Sequence, residues 1–290
     1  MYNYPLNYLL RNEPERVLSK KGWQIRKSVN ILFRNIMIPL STKNKLIIER
    51  KADFPKNRPV IFAATHGFRD DIASTIKTTG VHSYVLFGSL PAFYESLEGY
   101  ALWLNGVIMV DRKDKNSRAA AKDKMIYALS LGANILIFPE GVWNKTENLI
   151  VQKLFPGIYD VAKASGAMVV PIASIESNGA VYTILDKAFD ICAYSRTDGL
   201  TILRDKMATA KYELMEKYAR CSRSEIGNAQ QYWDTFLKRL IATAHGHYDE
   251  EIETTAHFQD KTITTPDEAF NHLQVVQPTI KNAFLFRKRV

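Results

Sequence analysis

The sequence predicts an α/β fold with a mostly parallel sheet flanked by helices. Short apolar runs alternate with helical segments between residues 59 and 200, and the runs contain almost no polar residue. Strands of this kind are buried on both faces, which requires helices on both sides of the sheet. Polar residues directly follow several of the runs, at the strand ends where α/β proteins carry their ligand sites.

The elements follow one another in a regular order after a turn-rich link. Gly132 stands where the helix that begins at residue 116 should end. The predicted strands are at 59–66, 83–88, 106–111, 134–141, 167–174 and 180–186. The predicted helices are at 116–132, 155–166, 204–220 and 228–244.

These elements divide the chain into three parts. Residues 1–50 form a basic amphipathic helical segment that we expect to associate with a membrane. Residues 51–200 form the α/β core, and residues 201–290 form a helical C-terminal extension packed on that core.

The positive charge of the chain is concentrated at its beginning. The net charge is +9, and residues 1–60 hold 13 of the 39 basic residues but only 4 of the 30 acidic ones, so the rest of the chain is neutral overall. Such a block attracts an anionic lipid surface or a nucleic acid. No nucleic-acid motif is present, so we expect a membrane partner and no nucleic acid.

The hydrophobic pattern within this block also favours lipid. Apolar residues recur at three- and four-residue spacing among lysines and arginines, with Trp23 near the start, as in helices that lie in the headgroup layer. The alternative is a helix that packs its apolar stripe on the domain and solvates its charges. The stripe consists of Ile25, Val29, Leu32, Phe33 and Ile36.

The cellular location follows from what the sequence lacks. It has no run of eighteen apolar residues that would span a membrane and no secretory signal pattern at its start. Cys192 and Cys221 form no CxxC pair, which suits a reducing compartment. We expect a cytoplasmic protein that is peripheral at the inner face of the membrane.

His66 and Asp71 form the first candidate site. The apolar run at 60–64 leads into His66, and Asp71 follows five residues later, where a helix should begin. A carboxylate there can fix the imidazole tautomer and stabilise the imidazolium. No G-x-S-x-G motif supplies a nucleophile, so the pair would deprotonate a substrate hydroxyl or amine directly. The alternative is that Asp70 or Asp71 only caps the helix and His66 is a loop residue.

Four motifs in order resemble the glycerolipid acyltransferase family typified by lysophosphatidic acid acyltransferase. HGFRDD supplies the family's HxxxxD motif, GVIMVDR resembles its second motif, FPEG matches the third and VVPI matches the fourth. These motifs span residues 60–175. Their key residues are His66, Asp71, Arg112, Glu140, Gly141 and Pro171.

The resemblance implies a reaction and a set of partners. His66 would act as general base while an acceptor hydroxyl attacks a thioester, and Asp71 would orient it. The acyl donor would be acyl-CoA or an acyl carrier protein, acting as co-substrate, and the acceptor would be a lysolipid. No bound cofactor and no metal are implied, and the histidine- and acid-rich run at 245–251 is not expected to bind one.

The resemblance also implies substrate-binding roles. Arg112 would bind a donor or acceptor phosphate, with pairing to Asp114 as the alternative. Glu140 would hold acceptor hydroxyls or organise the loop around Gly141. Pro171 would shape the wall of the pocket.

The sequence departs from the family where the acceptor phosphate is normally bound. The third motif usually continues with Thr-Arg, but here Val142 and Trp143 follow. An indole cannot replace a guanidinium on a phosphate. The cations that could compensate are Lys145, Lys153 and Arg69. Three functions therefore remain open: acylation of a lysophosphatidic acid-like acceptor, acylation of a glycolipid or amine lipid favoured by Trp143, and lipid binding without catalysis.

Overall fold

The computed structural model describes residues 4–88, 97–145, 149–219 and 229–242. Within them, seven strands form one sheet in the order β1-β7-β6-β2-β5-β3-β4. Five neighbouring strands, from β6 to β4, are parallel, whereas β7 is antiparallel to β6 and β1 is parallel to β7. The strands are β1 (Lys45–Lys51), β2 (Val60–Ala64), β3 (Ser83–Phe87), β4 (Val107–Met109), β5 (Asn134–Ile137), β6 (Met168–Ser177) and β7 (Ala180–Leu185).

Helices cover both faces of this sheet. The N-terminal helices are α1 (Tyr4–Arg11), α2 (Pro14–Val17), α3 (Lys20–Leu32) and α4 (Ile38–Ser41), with a π-helical turn at Phe33–Met37. The core helices are α5 (Asp71–Thr79), α6 (Leu97–Asn105), α7 (Lys115–Ser130) and α8 (Gly157–Ser165). After a 3₁₀ turn at Ile191–Ala193 come α9 (Arg196–Tyr218) and α10 (Ala229–Ala242).

Strand β2 shows why both faces must be covered. All five of its residues are buried, and alternate side chains enter different cores. Ile61 and Ala63 pack with residues of α7, α8 and α9, whereas Phe62 packs with Ile76 of α5 and Leu102 of α6. The predicted mostly parallel α/β fold is confirmed.

The register of the central strands brings two of the predicted site residues together. Ala63 of β2 is paired with Ile137 of β5, and both strands end within one residue of that pair. His66 follows the first strand and Glu140 follows the second. Because parallel strands end at the same edge of a sheet, the two loops lie side by side.

The N-terminal part is more integrated with the core than its predicted boundaries imply. Leu6 and Leu10 of α1 are buried with Val107 and Met109 of β4. Strand β1 starts at residue 45, within the segment that was predicted to be helical, so this part of the prediction was wrong. As an edge strand β1 is half-exposed and carries charged residues, which hides the pattern of a buried strand.

The apolar stripe predicted for α3 is divided between two environments. Phe33 is buried and Val29 is half-buried, whereas Ile25, Leu32 and Ile36 are exposed. A single amphipathic face was therefore the wrong description. The backbone changes from α to π geometry at residue 33, and Pro39, which follows it, has no N–H to donate to residue 35.

The C-terminal part is helical where the structure describes it. Helix α9 packs on β6 and β7 through Ala210 and Leu214, and Leu240 of α10 is buried beside Phe68. The run at 245–251 lies outside the described residues. No described helix combines the length and the apolar character needed to cross a bilayer.

Candidate active site

His66 and Asp71 form a hydrogen-bonded pair at the carboxyl end of β2. The distance from His66 Nδ1 to Asp71 Oδ2 is 2.7 Å. The Asp71 side chain is 1% exposed and the His66 side chain 20% exposed. The imidazole is therefore the accessible member of the pair, and the carboxylate lies behind it.

The loop before α5 holds this carboxylate in place. Asp71 Oδ2 also accepts hydrogen bonds from the backbone N–H groups of Gly67 (2.9 Å) and Phe68 (3.3 Å). A carboxylate that accepts backbone hydrogen bonds at the start of a helix is stabilised in its charged form. Asp71 does more than cap α5, because the Oδ2 atom that accepts these backbone hydrogen bonds also contacts the His66 imidazole.

The pair has one arrangement of protons that suits base catalysis. An ionised carboxylate can only accept, so Nδ1 of His66 carries the proton that faces Asp71. Nε2 then has a lone pair that can take a proton from a substrate hydroxyl. The imidazolium that forms is stabilised by the carboxylate.

Glu140 ties together two parts of its own loop, between β5 and α8, and the loop after β2 that carries His66. Its Oε1 accepts the His66 backbone N–H and its Oε2 accepts the Gln152 N–H, both at 2.9 Å. The residue is 1% exposed. Burial raises the pKa of the Glu140 carboxyl, an effect that Lys211 and the two backbone donors oppose. With both oxygens occupied by backbone groups, Glu140 organises the loops around His66.

Arg112 follows β4, which β3 separates from β5 in the sheet, and its side chain contacts the loop after β5. Its Nη1 donates to the Gly141 carbonyl at 2.5 Å, and Arg118 donates to the Arg112 carbonyl. Gly141 has a φ of 77°, in the left-handed region that favours glycine. Arg112 therefore fixes the loop that Glu140 starts.

Aromatic rings enclose the imidazole. The centroid of the Phe138 ring lies 4.5 Å from that of His66, and the Trp143 ring lies 6.2 Å away, edge-on. The N–H of Asn144 donates to the His66 carbonyl at 2.9 Å, which holds the Trp143 loop beside His66. Trp143 is thus a neighbour of His66, and its role in the acceptor site stays a prediction.

The three predicted compensating cations differ in position. Arg69 is half-buried in the turn between His66 and Asp71, so it belongs to the same loop as His66. Lys145 is half-buried two residues after Trp143. Lys153 is exposed on the loop before α8.

Sequence reasoning missed one charged residue of the site. Lys211 of α9 interacts electrostatically with Glu140 and Asp71. It lies four residues after the buried Met207 and three before the buried Leu214, so it falls on the inward side of the helix. That helical spacing was the available signal.

No group of potential metal ligands is found in the described part of the chain.

Known proteins resemble this chain in the region of the site. Residues 45–175 match the family model described as Acyltransferase. A 1-acyl-sn-glycerol-3-phosphate acyltransferase of Chlamydomonas reinhardtii is 28% identical over 126 residues, which are 43% of this chain and 37% of the relative. A chloroplastic protein of the same description from Arabidopsis thaliana is 29% identical over 129 residues, 44% of this chain and 35% of the relative.

A solved structure extends the likeness to the fold. The crystal structure of the 1-acyl-sn-glycerophosphate acyltransferase of Thermotoga maritima aligns with a TM-score of 0.52 and 17% identity, over 76% of this chain and 93% of that one. The match to the two curated relatives covers only about a third of their length. The matched family region contains His66, Asp71, Arg112, Glu140 and Pro171. Over residues 45–175 the chain is therefore similar to acyltransferases, and it shares the fold of the Thermotoga maritima enzyme.

Proposed function

We propose that this protein moves a fatty acyl chain from a thioester donor, acyl-CoA or an acyl carrier protein, to the hydroxyl of a lysophosphatidic acid-like acceptor. The observation that carries the proposal is the 2.7 Å hydrogen bond between His66 Nδ1 and Asp71 Oδ2 at a strand end. It leaves the other imidazole nitrogen available to a substrate. The relatives named as 1-acyl-sn-glycerol-3-phosphate acyltransferases support this acceptor class.

The reaction needs only one base and no covalent acyl-enzyme. His66 Nε2 takes the proton of the acceptor hydroxyl while its oxygen attacks the thioester carbonyl. The tetrahedral intermediate then breaks its carbon–sulfur bond, and the leaving thiolate recovers the proton from the imidazolium. Asp71 balances the imidazolium throughout, and a base in this position contributes on the order of a hundred- to ten-thousandfold in rate.

A second acceptor class remains a candidate because of Trp143. Its ring lies beside His66, where an acceptor must approach. An aromatic ring can stack on a sugar or line a less charged site, but it cannot form the paired hydrogen bonds of an arginine with a phosphate. A glycolipid or amine-lipid acceptor would therefore fit this contact.

The membrane proposal is supported by the way in which α3 packs. Arg26 Nη1 donates to the carbonyls of Trp103 and Leu104 at the end of α6, and Asn30 Nδ2 donates to Asn105 Oδ1 at 2.8 Å. The helix thus turns polar residues toward the protein. Ile25 and Leu32 of the same helix are exposed, whereas Trp23 and Val29 are half-buried, so part of its apolar surface faces outward, which is the reverse of ordinary surface helices.

We refer to these outward residues as the exposed apolar face. Helix α6, which packs against α3, adds Tyr100 and Trp103, which are 62% and 43% exposed. Lys20, Lys21 and Lys27 are exposed on the same segment. We infer that this face enters the headgroup layer and brings the site to lipid substrates. Besides Tyr100 and Trp103, the face consists of Ile25 (57% exposed), Leu32 (54%), Ile36 (50%) and Leu40 (82%).

A transfer assay with the full chain tests the proposed activity. Acyl-CoA and acyl carrier protein would each be offered with lysophosphatidic acid, a neutral lysolipid, a glycolipid and an amine lipid, and products would be identified by mass spectrometry. We expect acylation of lysophosphatidic acid that is lost in His66→Ala. Preference for a neutral acceptor would favour the Trp143 alternative, and no transfer to any acceptor would contradict catalysis.

A further inference from the structure

Lys211 is held on the inward side of α9. Ala210 and Leu214 of this helix pack with Ala173 and Ile175 of β6. Lys211 lies between them in sequence and is itself half-buried. A lysine on the packed side of a helix gives up hydration, so its position calls for an electrostatic reason.

The packing places Lys211 level with the end of β2. Ala64 of β2 is paired with Ile172 of β6, so the next residues of β6 lie beside the loop that carries His66. The Ser174 N–H donates to Thr65 Oγ1 at 3.0 Å, one residue before His66. Since Lys211 is in the turn of α9 that packs on this part of β6, it lies at the same edge of the sheet as the base.

A second contact ties α9 to the loops of the site. Arg204 Nε donates to the Val151 carbonyl at 3.0 Å. The next residue, Gln152, donates its N–H to Glu140. Arg204 precedes Lys211 by seven residues, two turns of the same helix face. The helix therefore runs along the Glu140 loop and presents Lys211 farther along the same side.

The charges around Lys211 are opposite in sign and buried. Asp71 and Glu140 are each 1% exposed, and both interact electrostatically with Lys211. Burial lowers the pKa of the Lys211 ammonium, and the Glu140 and Asp71 carboxylates oppose that change. Over the described residues, the ammonium has no hydrogen-bond acceptor and no ion pair in direct contact.

The carboxylate of Asp71 has a matching unsatisfied atom. Its Oδ2 accepts three hydrogen bonds, whereas its Oδ1 is buried and has no hydrogen-bond partner in the part of the chain that the structure describes. A buried carboxylate oxygen of this kind is costly unless a positive charge is near. Lys211 is the ammonium that acts on both buried carboxylates.

We propose that Lys211 is a positioning residue whose ammonium partly balances the two buried carboxylates, Asp71 and Glu140, and thereby weakens the hold of their negative charge on a proton at His66. The role rests on the proposed function, since it concerns the base of that reaction. The groups that face this cluster are Asp71 from the start of α5, Glu140 from the loop after β5, His66 from the loop after β2 and Lys211 from α9. The family region ends at residue 175, so the cation comes from outside it.

The titration of the His66 ring tests the role without any substrate. The chain has 6 histidines, and the His66 ring signals in an NMR spectrum are those that disappear in His66→Gln. In Lys211→Met the loss of a nearby cation should raise the titration midpoint of His66 by about one pH unit, because the imidazolium is no longer repelled. Lys211→Arg should keep the wild-type midpoint.

Two further variants make the result specific. Lys206→Met removes a lysine from the same helix that lies against Phe189 and should leave the midpoint unchanged. If Lys211→Met does not fold, Lys211→Gln provides the same neutralisation with a polar side chain. Asp71→Asn should move the midpoint in the opposite direction, toward lower pH.

An unmoved midpoint in the neutral Lys211 variants would overturn the proposal. If, in addition, the KM for lysophosphatidic acid is raised in these variants, Lys211 would be assigned to the acceptor phosphate instead. A midpoint that rises as expected in a protein without acyl-transfer activity would refute the proposed function and leave the electrostatic role standing.

Discussion

The ring of Phe155 lies against the α-carbon of Gly141, so closely that a β-carbon at residue 141 would lie 2.5 Å from Cε2 of Phe155. The Phe155 N–H also donates to the Pro139 carbonyl at 2.8 Å, which holds the ring in place. Gly141 has a positive φ and its carbonyl accepts from Arg112. The loop that carries Glu140 can take this path only with glycine at residue 141.

Gly141→Ala should therefore disturb the site more than a methyl group usually does. The new methyl must push Phe155 aside and the backbone must hold a strained φ, at a cost of about 1–3 kcal/mol. We expect a lower free energy of unfolding in urea and a fall in kcat of roughly tenfold or more, because the Glu140 loop shifts. Gly157→Ala is the matched control, since a β-carbon there meets nothing within 4 Å. Equal effects of the two substitutions would contradict this account.

Asp71→Asn should separate the charge of the carboxylate from its shape. Asparagine keeps an oxygen for the Gly67 and Phe68 N–H groups, but the imidazolium loses its countercharge. We expect kcat to fall on the order of a hundredfold or more with the fold retained. Asp160→Asn, a surface carboxylate paired with Arg196, should leave kcat within about twofold. Turnover near that of the wild type in a folded Asp71→Asn protein would exclude the dyad mechanism.

The strand ends of the site could be predicted because their signals are local. A buried strand is an apolar run, and the polar residue that stops it marks the loop, so His66 and Glu140 could be assigned to one edge. The hydrogen bonds of Glu140 could not be predicted in this way. Both of its carboxylate oxygens accept backbone N–H groups, and one of these donors is Gln152, whose position depends on the path of the loop. No local pattern contains that information.

The strand at 180–186 was predicted, but its antiparallel pairing with β6 was not, although the signal for it was present. Asn178 and Gly179 both have positive φ, 50° and 72°, and form the tight turn between β6 and β7. An Asn-Gly pair between two apolar runs is typical of a two-residue hairpin. Lys211 was missed for another reason: a single lysine in a charged helix is usually solvated, and only the packing of α9 on β6 makes it part of the site.

His82 should make the stability of the protein depend on pH. The ring is 5% exposed, and its Nε2 lies 2.6 Å from the Asn105 carbonyl. Burial lowers the pKa of His82 from 6.5 to about 4. The folded state thus binds fewer protons than the unfolded state, so this contribution to stability is complete above pH 6.5 and is lost as the pH falls toward 4.

The variant His82→Gln isolates that contribution. Glutamine can donate to the Asn105 carbonyl and does not titrate, so the variant should lose less stability on acidification. Between pH 7 and pH 5 we expect the wild type to lose about 2 kcal/mol more free energy of unfolding than the variant, measured in urea. Parallel pH profiles for the two proteins would contradict the assignment to His82.

The exposed apolar face gives a membrane prediction that leaves the core intact. Deleting the N-terminal helices would also remove Leu6, Leu10 and Phe33 from the core, so point substitutions are the better test. The triple variant Leu32→Gln, Ile36→Gln and Leu40→Gln should reduce binding to phosphatidylglycerol-containing vesicles by tenfold or more, since each buried apolar side chain contributes about 1.5–3 kcal/mol. It should also raise the apparent KM for lipid acceptors.

Salt and a control triple distinguish the two parts of this interaction. The exposed lysines contribute about 1 kcal/mol each near an anionic surface, so vesicle binding by the wild type should weaken with salt. It should not disappear, because the apolar contribution is not screened. The control triple variant carries glutamine in place of Ile48, Tyr194 and Tyr212, which lie outside this face and are 43%, 46% and 49% exposed. It should bind vesicles as the wild type does. Equal vesicle binding by both triple variants, each still folded, would show that the outward apolar residues of α3 and α4 do not enter the lipid.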